Sequence, residues 1–266
     1  MLTIHQGLER PSYPDLRVFL HRVPTHSLWV IPSDKTGIDT ISFKSYSDNV
    51  FLKSLIGVTK MSYFMNFLRY PSPGKTSAVL EAVIESVVAV GRPGNVAVPV
   101  SVGNPTIARP AIVSLVGGFQ TLDELDALQE ASLNDSGTMQ RLDAIDALCE
   151  RATWVVSEIL SEPMSSLPDG FEPKIISRTI MHCIPSKRDE LVNALIENRA
   201  SSTSTVPPVV SRPIAGPVNQ IRISRFAENL KDIQEQQSEA VSKLGKIPEM
   251  LTQPPVRIVS RIMHSQ

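Results

Sequence analysis

The sequence predicts an α+β protein in which a β-rich N-terminal region packs with a helical middle, followed by a linker and a C-terminal helix. Short runs of branched and aromatic residues, separated by prolines, fill the first part of the chain. Apolar residues at helical spacing fill 121–162, and a Ser/Pro-rich stretch precedes one last helical pattern. The predicted domains are a main globular domain over 1–200 (β-rich over 1–119, helical over 120–200), a flexible linker over 201–220, and a C-terminal helix and tail over 221–266.

Composition predicts the strands of the N-terminal region. The runs with the strongest β character are 16–23, 27–31 and 40–44, whereas 50–67 fits either a strand or a helix. Residues 76–90 instead predict a helix, because an apolar stripe recurs at helical spacing and Gly91 follows as a stop. Residues 95–116 combine Val and Ile with spaced prolines, which predicts edge or irregular strands or a packed loop.

An acidic stretch over 121–162 predicts two consecutive helices. It contains two Arg against ten Asp/Glu, a net charge of −8. Thr121 and Glu124 form the sequence signature of a helix start, and a turn-forming stretch at 134–137 separates the two helices. The second helix is predicted to run from Leu142 to Ile159, stopped by Pro163.

The chain beyond this stretch predicts a short apolar element, another helix and a self-association helix. Residues 174–184 form the apolar element, and Ser186 with Asp189 opens a helix. Further on, a series of residues recurs in alternating steps of four and three, with Gln237 and Ala240 between its apolar members: Phe226, Leu230, Ile233 and Leu244. Two interpretations remain open for this last pattern: a coiled coil between copies of the chain, or a helix docked on the main domain.

The sequence contains no recognisable catalytic, cofactor-binding or metal-binding motif. The stretch 73–76 resembles the end of a phosphate-binding loop, but Arg69 occupies the position of its first glycine and prolines remove amide donors. The five histidines are scattered, and Cys149 and Cys183 are expected to be reduced. We therefore expect no catalytic residues, no cofactor, no metal and no small-molecule substrate.

The motif Tyr-Pro-Asp-Leu, formed with Tyr13, Pro14 and Leu16, predicts a partner-binding site. It resembles the Tyr-Pro-x-Leu late-domain peptides with which some enveloped-virus structural proteins recruit the host membrane-scission machinery. A proline-stiffened backbone would present an aromatic side chain and a leucine to two pockets of a partner. The chain as a whole is similar to RNA-virus matrix- or capsid-type proteins, including those of tick-borne orthomyxoviruses. The resemblance implies assembly with further copies and with an anionic membrane or a viral ribonucleoprotein.

Three functions follow as hypotheses. The leading one is a non-enzymatic, self-associating structural protein, and the third is an enzyme of an unrecognised family. The second is a nucleic-acid-binding protein that uses basic N- and C-terminal segments, with these candidate phosphate contacts: Arg10, Arg17, Arg22, Arg222, Arg225, Arg257 and Arg261. Because the sequence has neither a secretory signal pattern nor a long apolar run, we expect an intracellular protein, in the cytoplasm or in a virion, without a transmembrane segment.

Overall fold

The protein is a closed antiparallel β-barrel with helices packed on its outer surface. The structure is a computed structural model that describes residues 62–102, 111–162 and 168–266. Its strands are β1 (Tyr63–Pro71), β2 (Gly94–Val102), β3 (Ile112–Phe119), β4 (Cys149–Ile159), β5 (Ile175–His182), β6 (Val209–Ala215), β7 (Gln220–Ala227) and β8 (Val256–Ser265). Its helices are α1 (Thr76–Val90), α2 (Leu122–Asn134), α3 (Ser136–Asp146), α4 (Arg188–Ala200) and α5 (Leu230–Ser242), with single 3-10 turns at Pro185–Lys187 and Ile247–Met250.

The barrel consists of two halves with one shared connectivity. The first half runs from β1 to β4 and the second from β5 to β8, and each follows a βαββαβ order in which α2 and α3 together take one helical place. The strand order is β4-β1-β3-β2 in the first half and β8-β5-β7-β6 in the second. Pairing of β2 with β8 and of β4 with β6 joins the halves, so every described strand has two neighbours and no open edge.

Strand alternation places apolar side chains on both faces of the sheet. Phe64, Leu115, Ile176 and Phe226 form one buried cluster although they come from four strands, of which β1 lies far from β5 and β7 around the barrel. Residues on such distant strands meet only across the lumen. Met65, the neighbour of Phe64, belongs instead to the cluster that includes residues of α1.

The outer faces of the two sheets are covered by helices. In the first half, the buried residues between the sheet and the helices include Val79, Val83, Val96, Ile112, Val116, Leu125 and Ile145. In the second half, they include Met181, Leu191, Leu195, Val210, Ile221, Ile247 and Met250. The apolar runs of the sequence therefore serve three cores: one in the lumen and one outside each sheet.

Several local predictions are confirmed. Helix α1 spans the predicted 76–90, and Gly91 ends it with a φ of 64°. At the start of α2, the Thr121 hydroxyl accepts a hydrogen bond from the Glu124 amide at 3.2 Å, and the Glu124 carboxylate accepts one from the Gln120 amide at 3.0 Å. A helix also follows Ser186 and includes Asp189 in its first turn.

The predicted α+β arrangement with a helical middle is wrong, and the error is largest at β4. Helix α3 ends at Asp146, and Cys149–Ile159 is a strand that pairs with β1 along its length. The apolar pattern from Leu142 to Ile159 satisfies helical spacing. However, β-branched and aromatic residues dominate its second part, around Trp154, and these suit a strand that pairs on both sides. The short apolar element predicted at 174–184 is likewise a barrel strand, β5.

The predicted linker and coiled coil are also wrong. Residues 201–220 include β6, which pairs with β4 and β7. The apolar pattern that begins at Phe226 is divided between β7 and α5, because the Asn229 side chain accepts a hydrogen bond from the Asp232 amide at 3.0 Å and starts a new helix there. Helix α5 packs on its own barrel, against β5 and β7.

The remaining N-terminal predictions lie outside the described residues. These are the strands at 16–23, 27–31 and 40–44, the motif residues Tyr13, Pro14 and Leu16, and the candidate phosphate contacts Arg10, Arg17 and Arg22. Within the described ranges, no helix has both the length and the apolar character needed to cross a membrane.

Candidate functional site

A cavity of about 340 Å³ lies between the first sheet and helices α1, α2 and α3. We call it the first-half cavity. Its walls are mainly apolar and include Met65, Phe67, Val87, Val90, Val116, Leu128 and Leu142. A concave, largely apolar site with a few polar groups is the usual form of a small-molecule binding site.

Arg69 provides the buried cation of the first-half cavity. Its side chain is 6% exposed, and its Nε donates to Asp146 Oδ1 at 2.8 Å. The guanidinium carbon also lies 5.5 Å from the Phe67 ring centroid. Among the described residues the two terminal nitrogens of Arg69 have no hydrogen-bond partner. They are therefore available to an oxygen atom of a ligand.

A second polar group lies at the α2–α3 side of the same cavity. The Asp135 carboxylate accepts hydrogen bonds from the amide and the hydroxyl of Thr138, and these bonds lower the pKa of Asp135. Arg141 donates to the Thr138 hydroxyl at 2.7 Å. Both Asp135 and Arg141 are more than half exposed, so this group forms a hydrated edge, whereas Arg69 lies in the interior.

Phe67 extends the aromatic character of the wall towards the surface. Its ring stacks with Trp154 of β4 at a centroid distance of 6.2 Å and an interplanar angle of 13°. Trp154 is 57% exposed. This pair therefore gives the first sheet a flat aromatic surface next to the cavity.

The second half contains a cavity of about 280 Å³ at the equivalent place, between its sheet and helices α4 and α5. We call it the second-half cavity. Three arginines and a lysine line it, with one carboxylate: Arg199, Arg225, Arg257, Lys243 and Glu239. Lys243 contacts Glu239 at 2.8 Å, and this hydrogen bond, followed by one from the Thr203 amide, lowers the pKa of Glu239 to about 2. Burial lowers the pKa of Arg225.

The two cysteines have no arrangement that would activate a thiol. Burial raises the pKa of both Cys149 and Cys183. Their thiols donate to backbone carbonyls, Cys149 to Ile145 at 3.4 Å and Cys183 to Asn219 at 3.1 Å. In the described part of the chain, no three His, Cys, Asp or Glu side chains form a group that could hold a metal ion.

The residues predicted for self-association do not lie on one helix. Phe226 is buried in the lumen cluster and Ile233 is buried between α5 and the sheet. Leu230 is 52% exposed, and Leu244 lines the second-half cavity. Their contact with a second copy stays a prediction.

Sequence reasoning missed Arg69, Asp146 and Arg178. The available signal was a cation inside an apolar strand run, at Arg69 in 63–71 and at Arg178 in 175–182. Such a position is unusual unless the cation is paired or functional. Of the arginines proposed as phosphate contacts, Arg222 and Arg225 lie in the barrel wall with much of their surface enclosed.

Comparison with known proteins identifies the fold. No protein-family model matches the chain, and no curated protein matches it in sequence. An anthrone oxidase-like protein of known structure has 11% sequence identity and a TM-score of 0.58, with 78% of this chain and 93% of that chain covered. A protein from Fusobacterium nucleatum subsp. nucleatum ATCC 25586, assigned as a monooxygenase, has 7% identity and a TM-score of 0.56, with coverage of 79% and 95%. A third, from Lactobacillus acidophilus NCFM and also assigned as a monooxygenase, has 9% identity and a TM-score of 0.50, with coverage of 77% and 94%.

These likenesses overturn the predicted protein class. The fold is shared with proteins described as an oxidase and as monooxygenases, and it is a closed β-barrel. The expectations of a viral matrix- or capsid-like protein, of a coiled-coil assembly protein and of a non-enzymatic chain are therefore wrong. They rested on a short motif and on a helical pattern that the barrel divides between a strand and a helix.

Proposed function

We propose that this chain is an oxidising enzyme of the monooxygenase type, and that its substrate is a small aromatic ketone or phenol bound in the first-half cavity. The observation that carries the proposal is the position of Arg69, a buried guanidinium in an apolar, partly aromatic cavity, whose terminal nitrogens have no hydrogen-bond partner in the described part of the chain. The oxidase and monooxygenase descriptions of the proteins that share the fold support the reaction class.

The cavity's shape and chemistry select the substrate class. A volume of about 340 Å³ accommodates a molecule of two or three fused rings. Met65 and Phe67 favour contact with a flat ring, since thioether and aromatic groups both pack well on aromatic faces. Arg69 favours a negatively charged oxygen at one end of that ring, because charge-assisted hydrogen bonds to guanidinium are strong.

Arg69 would promote the reaction by stabilising the ionised form of the substrate. A nearby cation lowers the pKa of a phenol or enol, and the resulting anion makes the ring system electron-rich. In a substrate with a methylene group beside the rings, this ionisation releases one methylene proton to the solvent. Molecular oxygen then oxidises that carbon to a carbonyl: one oxygen atom enters the product, and the other leaves as water with the remaining methylene hydrogen and one proton from the solvent. Asp146 acts as a positioning residue, because its carboxylate holds Nε of Arg69. The apolar walls exclude bulk water from the ring.

The test is oxygen consumption with anthrone as the substrate, for wild type, Arg69→Met, Arg69→Lys and Arg151→Gln. Arg151 is a matched control, because it is exposed and lies outside the cavity, with its guanidinium carbon 4.0 Å from the Tyr70 ring centroid. Loss of a charge-assisted hydrogen bond costs about 1.5–3 kcal/mol. We therefore expect Arg69→Met to lower kcat/KM roughly 10- to 150-fold, with partial recovery in Arg69→Lys and no change in Arg151→Gln.

Two controls make the result interpretable. Circular dichroism establishes whether each variant is folded, and a reaction without enzyme gives the spontaneous oxidation rate of anthrone. Equal enzymatic rates for wild type and folded Arg69→Met would contradict the proposed role of Arg69. The absence of any rate above the spontaneous one, across a panel of fused-ring phenols and ketones, would contradict the reaction class.

A further inference from the structure

The barrel lumen contains two arginines on adjacent strands. In the ladder between β5 and β7, Arg178 is opposite Ser224 and Arg222 is opposite Ile180. The two arginines are therefore diagonal neighbours on one face of the sheet, with Cα atoms roughly 7–8 Å apart. Because Arg178 is 4% exposed, its guanidinium is enclosed within the protein.

Contacts of Arg222 show that this face is the lumen. Its guanidinium carbon lies 4.8 Å from the Phe64 ring centroid. With the Asn66 amide oriented to satisfy both groups, its oxygen accepts from both terminal nitrogens of Arg222, at 3.0 and 3.2 Å. Phe64 and Asn66 belong to β1, which is not a neighbour of β7 in the barrel. Arg222 therefore extends across the lumen.

Neither arginine has a carboxylate partner among the described residues. Arg222 donates only to neutral oxygens, including Ser211 Oγ at 3.3 Å. Both terminal nitrogens of Arg178 are buried and have no hydrogen-bond partner within 62–102, 111–162 and 168–266. Burial lowers the pKa of Arg178 to about 9, with a further contribution from Arg222, and burial also lowers the pKa of Arg222 to about 10. Buried charges in proteins are normally paired, so this arrangement lacks a negative charge.

Further polar groups on the lumen face are also unpaired. The hydroxyl of Ser260 and both polar side-chain atoms of Asn95 are buried and have no hydrogen-bond partner among the residues that the structure describes. Ser260 is opposite Ile176 in the β5–β8 ladder, and Asn95 is opposite Leu115 in the β2–β3 ladder. Both partners belong to the lumen cluster, which places Ser260 and Asn95 on the same inner face. The lumen thus combines two unneutralised cations with spare hydrogen-bond donors.

We propose that the lumen binds a small oxyanion, of the carboxylate or phosphate type, between Arg178 and Arg222. A planar guanidinium pairs with such an oxyanion through two parallel hydrogen bonds, and the unpaired terminal nitrogens of Arg178 provide them. The site is distinct from the first-half cavity, because Phe64 and Asn66 lie on the inner face of β1, whereas Met65, Phe67 and Arg69 line the cavity on its outer face. The proposal is therefore independent of the proposed reaction.

The test measures thermal unfolding of the whole chain in increasing phosphate or acetate, at constant ionic strength maintained with sodium chloride. We compare wild type with Arg178→Met and Arg225→Met. Arg225 is a matched control, because it lies on β7 like Arg222 but lines the second-half cavity outside the barrel. For wild type we expect Tm to rise with the logarithm of the anion concentration above Kd, reaching about 5–10 °C at a concentration near 100 times Kd. The anion with the lower Kd identifies the ligand as phosphate-like or carboxylate-like.

Arg178→Met should abolish this anion response and, without anion, should melt no lower than wild type, because it removes an unpaired buried charge. Arg225→Met should respond like wild type. An equal anion response in Arg178→Met and wild type would overturn the proposal, as would a response that only Arg225→Met abolishes. If Arg178→Met does not fold, calorimetric titration of phosphate and acetate into wild type decides the question: saturable binding supports the site, and its absence overturns it.

Discussion

Arg69 and Arg178 are both buried on barrel strands, but they differ in their partners. Arg69 lies on the outer face of β1 with Asp146 at 2.8 Å, whereas Arg178 lies on the inner face of β5 without a carboxylate among the described residues. A paired cation keeps its charge at modest cost and offers its free nitrogens to a substrate. An unpaired one attracts an anion. This difference is why we propose substrate orientation for Arg69 and anion binding for Arg178.

Glu239 gives a prediction at the residue scale. Because hydrogen bonds from Lys243 and the Thr203 amide lower its pKa to about 2 in the folded protein, its contribution to stability is present above pH 4.5 and is lost as the pH falls towards 2. We expect Glu239→Gln to lower the free energy of unfolding by about 1–2 kcal/mol at pH 7. Urea unfolding at pH 7 and near pH 2 measures the difference from wild type, which should shrink at the lower pH. A difference that stays constant with pH would show that the Glu239 charge is not responsible.

Close approach of α1 and β3 constrains the start of β2 and gives a prediction at the scale of elements. A Cβ at Gly94 would lie 2.6 Å from the Leu115 carbonyl oxygen and 2.9 Å from Val87 Cγ1. Gly94→Ala should therefore displace α1 from the sheet that forms the first-half cavity. We expect it to lower the free energy of unfolding by about 2–3 kcal/mol, as overpacking does.

Gly74→Ala is the matched comparison, since Gly74 has a φ of +75° but open space around it. It should cost only about 1 kcal/mol, from backbone strain alone. Chemical denaturation of both variants measures the two costs. A smaller loss for Gly94→Ala than for Gly74→Ala would contradict the close packing of α1 on the first sheet.

The sequence could predict the elements that local residues determine, but not those that depend on pairing with distant strands. The helix at 76–90 and the start of α2 were predictable, because a local apolar stripe, Gly91 and the pair Thr121–Glu124 determine them. Strand β4 was not, because its pattern continues the helical spacing of α3, and its identity depends on pairing with β1, whose paired residues lie 78 (Pro71↔Cys149) to 95 (Tyr63↔Glu158) positions earlier. Arg69 and Asp146 meet only through that arrangement, 77 residues apart.

Closure of the barrel is a property of the whole molecule, and no local pattern encodes it. The pairs β2–β8 and β4–β6 bring together strands from different halves, and Arg222 contacts Asn66 across the lumen. In sequence, an inward-facing arginine cannot be told from any other basic residue on a strand, and Arg222 was therefore a candidate phosphate contact in the nucleic-acid-binding hypothesis. That Arg178 and Arg222 both face the lumen could be recognised only from the topology.

The shared lumen predicts that the two halves unfold together. Trp154 reports on the first half, since it lies on β4, whereas circular dichroism reports on all helices and strands. Urea unfolding of a Trp29→Phe variant, in which Trp154 is the remaining tryptophan, should give coincident transitions by fluorescence and by circular dichroism, which is the mark of two-state behaviour. If the Trp154 fluorescence transition falls at a clearly lower urea concentration than the circular dichroism transition, the first half unfolds alone, which would contradict a common core.

The measurement that tests the proposed function most directly is a binding titration with naphthol and naphthalene, followed by Trp154 fluorescence. It uses a Trp29→Phe background, because Trp29 is the second of the two tryptophans in the sequence. Trp154 stacks on the cavity residue Phe67, so a ring bound in the first-half cavity should change its emission. We predict tighter binding of naphthol than of naphthalene in wild type, and equal, weak binding of both to Arg69→Met. If both ligands bind equally well to wild type, or if Arg69→Met leaves the preference for naphthol unchanged, the first-half cavity is not the site that we propose.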